Sequence, residues 1–145
     1  MDIAKGPGKE EVHTLYDALP SRHIRLLSIL PDGPNGEVCC QLLPRSLDTQ
    51  PRYTALSYAW GAPSSHRKII LNGESYTVYE NLWRFLNQAR KLGSRFGGWL
   101  WIDALCINQS DNKDKEQQIV LMPDIYQSAE LVMICLLYTS DAADE

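Results

Sequence analysis

Between His23 and Ile134 the apolar positions change period several times, and each change marks an element. His23–Leu30 and Glu37–Leu43 are apolar-rich runs separated by the turn cluster Pro31-Asp-Gly-Pro-Asn-Gly36, which predicts a hairpin. Arg52–Ala59 predicts a further strand, ended by Gly61 and Pro63. Lys68–Leu71 and Ser75–Val78 flank Asn72-Gly73, and both of those residues tolerate positive φ, so a second hairpin follows. From Asn81, Leu82, Phe85, Leu86, Ala89 and Leu92 recur at helical spacing until Gly93.

Trp99–Ile102 is short and wholly apolar, as a buried strand would be. Asp111 stands where a helix N-cap belongs, with Asp114 placed well against the helix dipole. The helix after it sets Ile119, Met122, Ile125, Tyr126 and Ala129 on one face, and Pro123 predicts a kink or two stacked pieces. Leu131–Ile134 reads as a last strand. Hairpins followed by alternating strands and helices imply an α/β or α+β fold with a partly parallel central sheet and flanking helices.

Chemistry concentrates in Leu100–Asp111, where a Trp-rich strand passes without a break into Asp, Cys, Asn and Gln. Parallel strands present functional groups at their C-terminal ends, so Asp103 stands where it either holds a ligand hydroxyl, acts as a base or caps backbone amides. Asn108 and Gln109 offer amides suited to a ligand or to tying the loop down. Cys106 invites a thiol nucleophile with His66 as base, yet nothing in the sequence places His66 beside it. A lone cysteine between Leu105 and Ile107 is more often a small buried hydrophobe. Trp60, Trp99 and Trp101 read as core aromatics, and Trp60 beside Gly61 is also suited to stacking on a planar ligand.

Three ordered blocks carry a resemblance: Tyr53-Thr-Ala-Leu-Ser-Tyr-Ala-Trp-Gly61, Leu100–Asp111 and Gln118–Ala129. Together, over about Tyr16 to Ile134, they closely resemble the fungal heterokaryon incompatibility (HET) domain. Its Asp-x-x-Glu-Arg/Lys-x-x-Gln stretch falls on Asp111, Asp114, Lys115 and Gln118, with Asp114 replacing the usual Glu and Glu116 two residues on. The resemblance implies a cell-death module of nonself recognition, distantly similar to Toll/interleukin-receptor-like domains. It implies two mechanisms: self-association with protein partners, or NAD cleavage with Asp103, Asp114 or Glu116 as the catalytic carboxylate. Motif or ligand positions carried over are Tyr58, Trp60, Gly61, Trp101, Cys106, Asn108, Gln109, Asp111 and Gln118. NAD enters as a substrate, with no resident cofactor.

Bulk properties narrow these readings. The 145 residues are 44% hydrophobic and 22% charged with a net charge of −4, so one soluble domain is expected and phosphate binding is disfavoured. The three histidines and four cysteines show no metal-ligand spacing, so no metal is expected. No secretory leader is visible and the longest apolar run, Leu131–Leu137, is too short to span a bilayer, which points to the cytoplasm. Residues 1–15 read as a disordered lead-in to a domain over 16–134. Cys135–Glu145 resembles one reading frame of the transposase mosaic-end adapter of sequencing libraries, and Cys135 and Leu136 miss the family's Trp-Leu-Gly-like strand ending. A non-native tail on a truncated domain is the expectation.

Overall fold

The computed structural model describes residues 16–31, 36–58, 65–92 and 98–135. The lead-in, Trp60, Gly61 and the tail beyond Cys135 lie outside them. The first hairpin forms as β1 (His23–Ile29) and β2 (Cys39–Ser46), antiparallel with His23 opposite Ser46 and Ile29 opposite Cys40. A 3₁₀ turn, Leu47–Thr49, capped by the Ser46 side chain, leads to β3 (Tyr53–Tyr58). The second hairpin, β4 (His66–Leu71) and β5 (Glu74–Tyr79), turns on Asn72 and Gly73 at φ 50° and 83°. Asn72 also clamps β2, accepting from the Leu42 N–H and donating to its carbonyl.

Helix α1 (Glu80–Leu92) buries Leu82, Leu86 and Ala89 of the predicted face, while Phe85 is half-buried and Leu92, at the helix end, is exposed. β6 (Trp99–Ile102) runs into a single helical turn, α2 (Asp103–Cys106). Helix α3 (Asn112–Ser128) and β7 (Leu131–Cys135) follow. The seven strands form one mixed sheet in the order β5-β4-β2-β1-β6-β3-β7. β6, β3 and β7 are parallel neighbours, with Ile102 beside Leu56 and Leu56 beside Met133. The β6–α3–β7 crossover therefore steps over β3 and leaves β7 as the outermost strand. The core is one cluster that includes Ile24, Leu26, Leu56, Leu86, Trp101 and Ile125.

Of the two outcomes expected at Pro123, a kink or two stacked pieces, the second does not occur: α3 runs through the proline as one element. The bond that proline cannot donate would reach the Ile119 carbonyl, and Ile119 is 56% exposed, so water can take its place. The expected buried face also needs correction. Ile119 thus leaves the buried face, which is set instead by Asp114, Gln118 and Ile125, with Met122 and Tyr126 half-buried. A polar first half and an apolar second half share one stripe.

Candidate functional site

The Leu100–Asp111 block is held by a buried charge pair between β1 and α3. Arg25 lies in the apolar run of β1, is 3% exposed, and meets Asp114, 5% exposed, in the first turn of α3. The contact is a fork: Nη1 to Oδ2 and Nη2 to Oδ1, both 3.0 Å. Arg25 also donates to the Cys106 carbonyl at 3.1 Å and to the Asp17 carbonyl at 2.9 Å. Asp114 Oδ2 accepts in addition from the Asn108 backbone N–H at 2.9 Å. Two charges out of water need this saturation, because a buried ion with unmade bonds carries a large desolvation penalty. Within the first turn of α3, Asp114 is therefore withdrawn from solvent while Asn112 and Lys113 beside it stay exposed.

Tyr16 closes the pair from above. The Arg25 guanidinium lies 5.2 Å from its ring centroid, and its hydroxyl donates to the Leu105 carbonyl at 2.7 Å, with Tyr76 Oη at 3.4 Å. Burial and the Tyr76 hydroxyl raise the Tyr16 phenol above its ordinary range. Asp111 caps α3 by accepting from the Lys113 N–H at 3.0 Å, and Asn108 Oδ1 accepts from the Ser110 N–H at 3.0 Å. Gln109 donates to the Asp103 and Ile107 carbonyls at 2.9 and 3.3 Å. Gln118 donates to the His23 carbonyl at 3.0 Å, while its Oε1 is buried without a partner. Asn108, Gln109 and Asp111 each tie the loop down, and Asp114 and Gln118 tie α3 to β1.

Asp103 is different. It opens α2 half-buried at the C-terminal end of β6, and its Oδ1 has no partner. Desolvation raises its carboxyl above the ordinary value, against a smaller pull from the Ala104 backbone N–H. Trp101, two residues earlier, is fully buried edge-on to Tyr126 at 5.6 Å between centroids, and its Nε1 is likewise unpartnered. A carboxyl raised by burial stabilises the fold most below its unfolded value of about 3.9, and that contribution is lost as pH rises through the folded value. Asp103→Asn should therefore raise the melting temperature at pH 7 and change nothing at pH 3. A variant that melts lower at pH 7 would refute this reading of Asp103.

Cys106 is fully buried and its thiol is pushed up to about 12, chiefly by desolvation. Its Sγ accepts from the Ile102 N–H at 3.4 Å. His66 is exposed and packs on Tyr79 at 4.9 Å between centroids, so no thiol–imidazole pair forms. Glu116 is exposed on α3. Tyr58 ends β3 opposite Cys135 of β7. A cleft of about 370 Å³ opens beside the block, where Ala104 and Gln109 meet His66, Tyr76 and Tyr79. Among its described lining residues there is no carboxylate. Among the described residues, no group of three His, Cys, Asp or Glu side chains converges on a metal position. Among the same described residues, no helix is long and apolar enough to cross a membrane.

Arg25, Tyr16 and Tyr76 are the members that sequence reasoning missed. The available signal was Arg25 itself, a lone charge inside a run whose neighbours are all apolar.

The family model described as heterokaryon incompatibility protein (HET) matches residues 53–145. The chain belongs to the HET family. Heterokaryon incompatibility protein 6, OR allele, of Neurospora crassa is 35% identical over 137 residues, covering 83% of this chain and 20% of that protein. This HET domain chain thus spans about a fifth of the length of that curated relative. No solved structure matches it significantly.

Proposed function

We propose that this HET domain acts in fungal nonself recognition, in the cytoplasm, as a signalling module whose self-association triggers cell death. The observation that carries the reading is the apolar outer strand of the sheet, which no other described strand covers. On β7, the outermost strand among the described residues, Leu131, Val132 and Ile134 are 57%, 42% and 71% exposed. No charge interrupts Leu131–Cys135, although exposed edges are usually guarded by lysine, proline or a bulge. An unguarded apolar edge is a template for another strand. The heterokaryon incompatibility named in the Neurospora relative supports the nonself role.

Placement of the acidic side chains supports the same reading. Asp114 is consumed by Arg25 and Glu116 points to water. Ile134→Lys should leave the melting temperature unchanged, since the side chain is already exposed, and convert a concentration-dependent dimer to monomer in analytical ultracentrifugation. A wild-type chain that stays monomeric at high concentration would discard the edge as an interface.

One observation favours a second reading, NAD glycohydrolase activity. Asp103 alone among the three carboxylates combines partial burial, an unpaired oxygen and a raised protonation equilibrium. Carboxyls so placed serve glycoside cleavage, where they meet a developing oxocarbenium ion. In this reading NAD is the substrate and Asp103 the catalytic carboxylate, in keeping with the distant Toll/interleukin-receptor likeness.

A further inference from the structure

At the end of the sheet opposite β7, no described strand lies beyond β5. Bonded and unbonded positions alternate along an antiparallel pair, so the phase of the β4–β5 hairpin shows which backbone groups β5 has left over. The Glu80 N–H donates to the Ser65 carbonyl at 2.8 Å, and Val78 and Tyr76, two and four residues before it, therefore turn their backbone groups toward β4 as well. Ser75 and Thr77 turn theirs outward. Ile70, opposite Ser75, agrees: its N–H donates to the Val38 carbonyl at 2.9 Å, on the side away from β5. An N–H and a C=O on every second residue of an unpaired strand are what another strand bonds to. No lysine or proline guards them in Glu-Ser-Tyr-Thr-Val-Tyr79.

The cleft of about 370 Å³ follows this edge. Tyr76 and Val78 lie on one face of β5 and Thr77 on the other, and all three line the cleft, so it passes the backbone between them. Val78, Leu82 and Ala104 give it an apolar wall, and no Asp, Glu, Lys or Arg stands among its described lining residues.

The strand that fits this edge is β7 of a second copy. It has five residues to the six of β5 and carries no charge into the cleft. Direction agrees too. From β5 to β7 the sheet reverses at β5–β4, β2–β1 and β1–β6 and runs parallel at every other step, so β5 is antiparallel to β7. A copy set beside the first in the same orientation thus brings its β7 antiparallel to β5 and continues the sheet. The registers put Val78 on the face of Leu131 and Met133, so those two side chains meet the apolar wall while Val132 and Ile134 cover Thr77. Pairing β7 with β7 about a two-fold axis would leave the β5 edge open.

We infer that self-association is head to tail: β7 of one copy adds to β5 of the next, antiparallel, through the outward backbone groups of Ser75 and Thr77. The inference rests on the self-association reading and specifies its receiving surface. A heterologous contact of this kind leaves a free β5 at one end and a free β7 at the other, so the assembly grows past two copies as a filament or a ring.

Analytical ultracentrifugation of edge-blocked variants is the test. The wild type is expected to grow past the dimer as concentration rises. Thr77→Pro removes an N–H that no ladder bond uses, which an edge strand tolerates, and should weaken self-association at least about tenfold, the effect of one or two lost backbone hydrogen bonds. Ser75→Pro, whose N–H also points outward, takes its place if Thr77→Pro melts below the wild type. Ile134→Lys, blocked at the other edge, should stay monomeric alone, yet mixed with Thr77→Pro it should form a one-to-one pair that grows no further. Association of Thr77→Pro at wild-type strength, a wild type that stops at the dimer, or a mixture that stays monomeric would overturn the head-to-tail contact. The first two results leave self-association through β7 standing, whereas a wild type that never associates refutes both.

Discussion

Arg25→Met is expected to lower unfolding free energy by about 3–5 kcal/mol, because it leaves the Asp114 carboxylate buried without its counter-charge. Against a total of about 5–15 kcal/mol for a domain, that is enough to populate the unfolded chain at physiological temperature. The loss is large for a second reason. Arg25 also holds the Asp17 and Cys106 carbonyls, so one substitution releases the segment before β1 and the end of α2 together. Adding Asp114→Leu should recover part of the loss, since buried pairs are often replaceable by apolar side chains. Recovery stays incomplete because the Asn108 N–H and the two carbonyls remain unpaired. Urea denaturation of the single and double variants measures both quantities, and a single-variant loss below about 1 kcal/mol would mean that the pair is no keystone.

Trp101→Ala should cost about 3–5 kcal/mol, the range for emptying an aromatic site in a core. Trp101 is fully buried between the sheet and α3, with its ring edge-on to Tyr126. Trp101→Phe is expected to cost far less. Phenylalanine keeps a ring against Tyr126 and removes an indole N–H that has no partner, whose burial itself opposes folding by about 1–3 kcal/mol. Equal losses for the two variants would show that volume alone sets the energy of the site.

Most of the scaffold follows from local rules. Asn72-Gly73 selects a turn with positive φ at both residues, the Leu82–Ala89 spacing selects the buried face of α1, and Asp111 caps α3, each within a few residues of chain. The site was read less well because its bonds are distant. Arg25 and Asp114 are 89 residues apart, so although Arg25 stands out as a charge inside an apolar strand, nothing local names its partner, and Asp114 alone looks like an ordinary acid in a first helical turn. The same pair misdirected the reading of α3. Its first half buries Asp114 and Gln118, whereas periodicity gives weight only to apolar residues and so favours Ile119 on the buried face. Gln118 and Asp114, carried over from the family motif as ligand or catalytic positions, instead join α3 to β1. Asp103 keeps both its structural and its functional meaning: its carboxylate accepts from the Ala104 backbone N–H, as a cap does, and its Oδ1 stays without a partner.

In the proposed function, this HET domain works by association rather than by carboxylate chemistry. Expression of the chain in yeast, as wild type, Asp103→Asn and Ile134→Lys, with viability and cellular NAD followed together, tests it most directly. Association predicts death with NAD unchanged, death retained in Asp103→Asn, and survival in Ile134→Lys. A fall in NAD that precedes death and is prevented by Asp103→Asn would contradict it, as would full viability of cells expressing the wild type.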